Sequence, residues 1–318
     1  MRASHQIVFR AGGRDFTYAD AVRAAEQRAA IDPARRDARE GLSCQRYAED
    51  EEFALGPAEV ESAADAYRTE RDLTTVDDTE RWLNSYDLSL DDFSGWLERR
   101  LWRQRFLHTL PIITRDYLPR PDEVEALLWP ELVFGGVLPA LVRELAGRVA
   151  IRLSTDGDAT APGWADDQPA MERLYLARCR EVTSEPHIDR ELTARHTSLL
   201  RLELQLASFD APEPAREAWL CVTQDGEPLA DVSRRAGGKI EAIRLFYDEL
   251  PDSLRQPALS AVPGDIIPPF EIGDRVAVCQ VSAKVPPAID DPDVRHRIES
   301  VLIERTTEDL IQRHIRWT

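Results

Sequence analysis

Two side chains that could do chemistry lie on two short stretches in the second half of the chain. Glu203 belongs to Leu202–Ala207, where leucines alternate with polar residues, and Cys279 belongs to the apolar stretch Val276–Val281. Such patterns predict β-strands. A carboxylate among apolar neighbours suits general acid–base catalysis, and a deprotonated thiol suits nucleophilic catalysis. We therefore take Glu203 and Cys279 as candidate catalytic residues.

Each candidate also has an interpretation without chemistry. If Leu202, Leu204 and Leu206 face helices, Glu203 and Gln205 face the open side of the sheet, where Glu203 either contacts substrate or is simply solvated. No histidine stands at a spacing that pairs it with Cys279, and the chain has no Cys-x-x-Cys pair. Buried free thiols in a reducing compartment account for such cysteines without a site.

The residues between the two strands predict the elements that hold them. A helix is predicted over about Pro214–Ala236, a short amphipathic segment over Phe246–Leu259, and a turn at Pro263-Gly264-Asp265, followed by the doublet Pro268-Pro269. Strand, helix, small helix and strand in this order make a compact α+β module. The module is predicted to cover Leu199–Pro287.

This order of elements resembles the parvulin family of peptidyl-prolyl cis-trans isomerases, of the type found in SurA-like chaperones. The block Leu254–Asp265 reads LRQPALSAVPGD, which is similar to the family's Phe-x-x-Ala-x-Phe-x-Leu-x-x-Gly-Glu, and Leu229–Val232 is similar to part of its first helix. The resemblance implies that six residues line the substrate site: Gln205, Leu250, Leu254, Leu259, Phe270 and Ala277.

The sequence departs from the family at its polar positions. Ala277 stands where the second active-site histidine is expected, and Glu203–Leu206 reads ELQL where the family has His-Ile-Leu-Val. The cysteine or aspartate that usually follows the first helix has no clear counterpart near Arg234–Gly238. The resemblance therefore implies a degenerate parvulin domain, in which the scaffold is retained and the polar centre is lost.

Charge and hydropathy limit the partners. The 318 residues include 40 Lys and Arg against 58 Asp and Glu, a net charge of −18. Phosphate binding needs clustered positive charge, so no nucleic-acid partner is expected. The longest apolar run, Leu132–Val142, is too short for a membrane span, and the first residues lack the apolar core of a signal peptide. We expect a cytoplasmic protein with no membrane partner, no metal and no cofactor.

The first half of the chain predicts helices after an N-terminal hairpin, in which Ile7–Phe9 and Phe16–Tyr18 flank Ala11-Gly12-Gly13. Asp32–Asp50, charged and poor in apolar anchors, is predicted as a loop or a weak helix, and Asp122–Ala150 is predicted as a helix interrupted at Pro130 and around Gly135–Gly136.

Ser89, followed by Asp92 three residues later, predicts a capping box for a helix that continues towards Leu110 and stops near Pro111. Residues 57–110 resemble the helical segment of SurA-like chaperones. Three tryptophans at helical spacing there indicate a core face or, alternatively, a peptide-binding groove: Trp82, Trp96 and Trp102.

The predicted architecture is α+β, a mostly helical SurA-like part plus a small parvulin-like domain with an antiparallel sheet. The domains are 1–198, helical and chaperone-like; 199–287, parvulin-like; and 288–318, a C-terminal helix that packs back on the helical domain, as the resemblance implies. Thr155–Pro169, rich in Asp, Gly, Ala and Pro, predicts a linker.

These observations favour a peptide-binding protein. The first hypothesis is a maturation or chaperone protein that acts on a ribosomally synthesised precursor peptide, as in lanthipeptide biosynthesis. Its partners would be a precursor or unfolded peptide and a peptide-modifying enzyme. The alternatives are an active prolyl isomerase, a peptide-modifying cyclase or lyase that uses Glu203 or Cys279, and a structural subunit that steadies a modification complex.

Overall fold

The computed structural model describes residues 3–156, 163, 164 and 166–318. They form two compact units, Met1–Arg178 with Arg305–Thr318, and Cys179–Glu304. Both contain helices and antiparallel strands, which confirms the α+β prediction. The predicted boundaries at 198/199 and 287/288 stay a prediction. Within the predicted linker, residues 157–162 and 165 lie outside the described residues.

The elements are named in chain order. The strands are β1 (Ile7–Ala11), β2 (Arg14–Thr17), β3 (Arg201–Phe209), β4 (Lys239–Phe246), β5 (Ile266–Ile272), β6 (Arg275–Val285) and β7 (Arg316–Trp317). The helices are α1 (Tyr18–Glu26), α2 (Asp32–Asp50), α3 (Pro57–Glu70), α4 (Val76–Ser85), α5 (Leu90–Arg105), α6 (Leu110–Asp116), α7 (Pro121–Phe134), α8 (Leu138–Asp156), α9 (Gln168–Val182), α10 (Glu185–Ala194), α11 (Pro212–Asp225), α12 (Leu229–Arg235), α13 (Asp252–Ser260) and α14 (Pro292–His314).

Local sequence signals set several ends of elements in the first unit. Gly12 and Gly13 have φ of +55° and +73°, which lets β1 turn directly into β2. Ser89 caps α5 as predicted: its Oγ accepts from the Asp92 N–H at 3.1 Å, and Asp92 Oδ2 accepts from the Ser89 N–H at 2.8 Å. Capping of this kind satisfies N–H groups that have no partner inside the helix.

Two predictions about helices in this unit need correction. The helix that begins after Ser89 was predicted to reach Leu110 and stop at Pro111, but α5 ends at Arg105 and Pro111 lies in the first turn of α6. Proline needs no N–H partner at that position, so it starts a helix there. Asp32–Asp50, predicted as a loop or weak helix, is a helix whose buried side consists of small residues, so it lacks the large apolar anchors that usually signal burial.

The tryptophans belong to the core. Trp96 and Trp102 are each 5% exposed, and Trp82 packs partly buried beside Trp96 against Phe134. Aromatic side chains at helical spacing are usually core, and the structure confirms that interpretation over the peptide groove. The end of α14 also joins the first unit's core, where Ile311 packs with Leu145 and other apolar residues.

The segment from α7 to α8 contains the strongest apolar run. The predicted break at Gly135–Gly136 is confirmed, with Gly136 at φ +70°, whereas Pro130 lies inside α7 and does not interrupt it. Within the described part of the chain, no single helix is long and apolar enough to cross a membrane. One pair of helices, Pro121–Phe134 with Leu138–Thr155, is bent by 85° and is together long and apolar enough by length and composition alone.

The second unit is a four-stranded antiparallel sheet of order β4-β3-β6-β5 with helices on both faces. The helix predicted over Pro214–Ala236 is broken: α11 ends at Asp225, followed by Gly226 with φ +69°, and α12 starts at Leu229. β4 and β5 were not predicted from the sequence, because β4 has no clean alternation and β5 contains two prolines.

Candidate functional site

The two faces of the sheet are covered by different helices. Leu202 and Leu204 of β3, with Cys279 of β6, pack against Leu250 and Leu254 beside or within α13. The side chains on the other face of the same strands pack against α11 and α12. The strand residues are Ala207, Phe209 and Val278, and the helix residues are Ala215, Ala218, Leu229 and Val232. Side chains alternate between the faces of a strand, so β3 contributes to two separate cores.

Most residues of the predicted substrate site lie together, but inside the core. Leu250, Leu254 and Ala277 are buried, Leu254 being only 3% exposed. Phe270 packs partly buried against this core, opposite Ala277 in the β5–β6 register. Leu259, on the last turn of α13, is 36% exposed and lies at the surface. A proline ring therefore finds no open apolar pocket at the buried residues.

The structure separates Glu203 and Gln205 from that core. By alternation they share the face of Ala207 and Phe209, opposite Leu254 and Ala277. Ala277 and Leu254 therefore do not supply the apolar neighbours that acid–base catalysis by Glu203 would need. Glu203 Oε1 instead lies 3.5 Å from Arg244 Nε on β4, and both side chains are largely exposed. The arrangement is a surface ion pair between cross-strand neighbours.

Cys279 is fully buried on the α13 face. Burial raises the pKa of its thiol to about 11, because the apolar surroundings disfavour the charged thiolate. A nucleophilic cysteine needs the opposite shift, since the thiolate is the reactive form. The geometry thus supports a packing role for Cys279, and the catalytic roles of Glu203 and Cys279 stay predictions.

The outer edge of the sheet at β4 is the most exposed strand of this unit. Lys239, Ile240, Glu241, Ala242 and Arg244 are exposed, with Ile240 at 40%. The strand pairs with β3 on one side, and it ends the strand order on the other. An edge strand offers its unpaired N–H and C=O groups to any extended chain that reaches it.

The register shows which backbone groups are free. Tyr247 N donates to Leu200 O at 2.8 Å, just beyond the paired strands, so these two residues form a hydrogen-bonded pair. Such pairs alternate with non-hydrogen-bonded pairs along an antiparallel ladder. Counting back along the register, Ile240, Ala242 and Arg244 occupy the alternate positions, and their N–H and C=O groups point away from β3.

The next N–H group of β4 that points away from β3 supports this assignment. The Phe246 N–H donates to Glu249 Oε2 at 2.8 Å, on the side away from β3, so a side chain closes that end of the edge. For Ile240, Ala242 and Arg244, the described part of the chain supplies no comparable partner. The free edge is therefore a short stretch, from Ile240 to Arg244.

The opposite edge, β5, differs. It contains Pro268 and Pro269, which have no N–H, and its register with β6 shifts between Ile267 and Phe270. Proline and irregular register are features that protect an edge strand from pairing with another chain. β5 is thus a closed edge, and β4 is an open one.

One group of side chains has metal-binding spacing. The ligand atoms of Cys221, Asp225 and Glu227, at the end of α11, lie within 4.8 Å of one another. Glu227 is already engaged by Arg235, whose Nη2 lies 2.8 Å from its Oε2. This arginine neutralises one of the two carboxylates, and exposed acidic groups of this kind are common without a metal.

Comparison with known proteins gives structural neighbours only. No protein-family model matches the sequence, and neither does any curated protein. Among solved structures, foldase protein PrsA from Streptococcus pneumoniae has 9% identity and a TM-score of 0.32, covering 96% of this chain and 90% of its own. PrsA from Lactococcus lactis has 9% identity and a TM-score of 0.31, with 96% and 87% covered. A SurA-like chaperone from Campylobacter jejuni has 9% identity and a TM-score of 0.20, with 99% of both chains covered. The neighbours are foldase and SurA-like chaperones, and membership of the parvulin family stays a prediction at these values.

Proposed function

We propose that this protein binds extended segments of unfolded or precursor polypeptides, as a chaperone or maturation protein does. The observation that carries the proposal is the open edge of β4. Ile240, Ala242 and Arg244 each direct one N–H and one C=O away from the sheet. An extended peptide that adds a strand there satisfies these groups by β-augmentation.

The energetics suit a general peptide binder. Each backbone hydrogen bond contributes a net stabilisation of about 0.5–1.5 kcal/mol. Main-chain bonds do not depend on the peptide's sequence, whereas alternate side-chain contacts supply preference. The exposed side chains of the edge include both charges and apolar Ile240. Peptides with mixed charge and an apolar residue in the matching position are the expected ligands.

The described surface gives less support to catalysis. An isomerase needs an apolar pocket that a proline ring can enter, but Leu250 and Leu254 are packed inside the α13 core and Ala277 is fully buried. A cyclase or lyase needs an activated group, but the Cys279 pKa is raised and Glu203 is paired with Arg244 at the surface. Peptide binding at β4 requires no rearrangement of that core.

The resemblance to SurA-like chaperones implies a narrower substrate class. A ribosomally synthesised precursor, handed on to a modifying enzyme, is an extended peptide of the kind that β4 accepts. We include it in the proposal: a ribosomally synthesised precursor peptide is expected to bind more tightly than an unrelated unfolded chain of equal length.

The test is titration of a fluorescent, permanently unfolded polypeptide, with Ala242→Pro as the key variant. Proline removes the outward N–H of residue 242 and is tolerated at an edge, so pairing with β3 remains. We expect at least about tenfold weaker binding, since more than one edge bond is lost when the added strand is interrupted.

Ala242→Val is the matched control, because it keeps the N–H and suits a strand. It is expected to bind like the natural protein. Equal affinity of the Pro and Val variants would remove the edge from the binding site. Hydrogen exchange gives an independent readout: the amides of Ile240, Ala242 and Arg244 should become protected only when peptide is bound.

A further inference from the structure

A cavity of about 370 Å³ lies in the first unit, between α2, α3, α5 and α7. Four arginines line it: Arg71, Arg99, Arg100 and Arg103. The acidic residues of its lining are Asp37, Glu70 and Glu131. A local excess of guanidinium groups is unexpected in a chain with a net charge of −18, and the partners of each arginine decide what the cavity can hold.

Arg99 is a buried cation with unused donors. It is 7% exposed, and its Nε and Nη2 atoms are buried with no hydrogen-bond partner. Its closest carboxylate is that of Glu131, whose Oε1 lies 3.7 Å from Arg99 Nε, beyond hydrogen-bond range. The other oxygen of Glu131 accepts from Trp96 Nε1 at 2.9 Å. Unpaired donors on a buried charge are costly, so an acceptor that Arg99 reaches by a side-chain rotation into the cavity would be stabilising.

Two neighbouring arginines also lack a carboxylate of the described chain within hydrogen-bond range. Arg100 lies over the Trp96 ring at 5.4 Å, and among the described residues no carboxylate comes within 4.0 Å of it. Arg71 donates to the Phe134 carbonyl at 3.2 Å and lies over the Tyr67 ring at 3.8 Å, and its nearest carboxylate, Glu70, is also 3.8 Å away. Arg103, by contrast, is paired with Asp37 at 2.9 Å and Glu40 at 2.8 Å.

Glu131 and Arg99 place a buried carboxyl group and a buried guanidinium group in the cavity wall. Glu131 is 8% exposed, and burial raises the pKa of its carboxyl group despite the attraction of Arg99. Burial also lowers the pKa of Arg99, since both charges are removed from water. An anion in this cavity must therefore be held mainly by the arginines that Glu131 does not neutralise, Arg100 and Arg71.

We propose that this cavity binds the oxyanion of a small molecule, a carboxylate or a phosphate group, through Arg99, Arg100 and Arg71. Planar guanidinium groups match both oxyanions with paired hydrogen bonds. The cavity volume suits a small ligand. This site belongs to the first unit and does not depend on peptide binding at β4.

The probes are sodium phosphate and sodium benzoate, added to the full chain at equal ionic strength with sodium chloride as the reference. Binding is measured by calorimetry, and the melting temperature Tm is followed in parallel. We expect at least one probe to bind saturably and to raise Tm above the chloride reference. Phosphate alone, or benzoate alone, would identify the source of the oxyanion, and binding of both would indicate shared recognition.

The variants test the named arginines. Arg100→Gln, at an exposed position, is expected to weaken binding about tenfold, the usual loss of one charge-assisted contact. Arg99→Gln should weaken it more; if that variant does not fold, Arg71→Gln replaces it. Arg81→Gln, an exposed arginine of α4 outside the cavity, is the control and should bind normally. The proposal is overturned if neither probe exceeds chloride, or if Arg100→Gln and Arg71→Gln both bind like the natural protein.

Discussion

The two units carry their free polar groups in different ways. In the first unit, the charged side chains of Arg99 and Glu131 enter the interior and border a cavity. In the second, apolar cores pack on both faces of the sheet, and the free groups that an extended chain can reach are backbone N–H and C=O on the β4 edge. Side-chain recognition selects for charge, whereas backbone recognition selects for an extended conformation. The two units therefore suit two different kinds of ligand.

The sharpest test of the buried charge is Glu131→Leu. This change leaves Arg99 buried without its counter-ion and Trp96 Nε1 without an acceptor. Removing one partner of a buried ion pair typically destabilises by about 3–5 kcal/mol. We expect a loss of that order in the free energy of unfolding, measured with denaturant.

Two further variants isolate the cause. Glu131→Gln keeps an acceptor for Trp96 and should cost less than Glu131→Leu. The double variant Arg99→Met/Glu131→Leu removes both charges and should be more stable than Glu131→Leu alone. If the double variant is the least stable of the three, the unpaired charge of Arg99 is not the main cause of the lost stability.

The apolar interior of the second unit is tested by Leu254→Ala. Leu254 is buried in the α13 core, so truncation should cost about 2–5 kcal/mol through lost burial and a residual cavity. Leu259→Ala, on the same helix but exposed, serves as the control and should cost less than about 1 kcal/mol. If Leu254→Ala costs as little as Leu259→Ala, Leu254 is accessible, as a substrate pocket requires.

One buried cysteine in each unit offers a matched pair. Burial raises the pKa of Cys44 and of Cys279 to about 11. At pH 8 a thiol with that pKa is about one part in a thousand thiolate. Both should resist iodoacetamide, while half-buried Cys221 reacts, as mass spectrometry of the labelled chain will show.

The same shifts give a pH dependence. A raised thiol pKa means that the folded state holds its proton more tightly than the unfolded state. The stabilisation is complete below the ordinary thiol pKa of 9.0 and is lost as pH rises from there through about 11. A Cys44→Ala/Cys279→Ala variant should lose less stability over that range, and an identical decline in both proteins would contradict the assignment.

The smallest effect is expected at the surface pair of β3 and β4. Glu203→Gln removes the charge opposite Arg244, and exposed pairs contribute about 0–1 kcal/mol. Stability should change by less than about 1 kcal/mol, and peptide binding at the edge should remain. A large loss of peptide binding with unchanged stability would instead give Glu203 a direct functional role.

Local rules explain what could be read from the sequence. Ser89 and Asp92 form the predicted capping box, and Gly12–Gly13 form the predicted turn, because these signals act within a few residues. The alternation of Leu202–Ala207 predicted a strand with one apolar face correctly. The open edge was missed because KIEAIRLF in β4 mixes polar and apolar residues on both faces, although Gly237–Gly238 before it signals a turn.

The cavity was missed for a different reason. Trp96, Arg99, Arg100 and Arg103 share one side of α5 at spacings of three, four and seven, which is a helical face. A charged face normally indicates exposure to solvent, yet Arg99 is buried beside α2, where Gly41 allows close approach: a Cβ on that glycine would lie 2.9 Å from Arg99 Cβ. This contact joins residues distant in sequence.

The sequence by itself determined the α+β class, the capping and turn signals, the net negative charge and the alternating faces of β3. These depend on backbone preferences and on periodicity over short windows. Tertiary structure alone decided which strand has a free edge, on which face Glu203 lies relative to Leu254, and that Arg99 is buried with unused donors. Edge position and burial are set by contacts between distant segments, which no local pattern records.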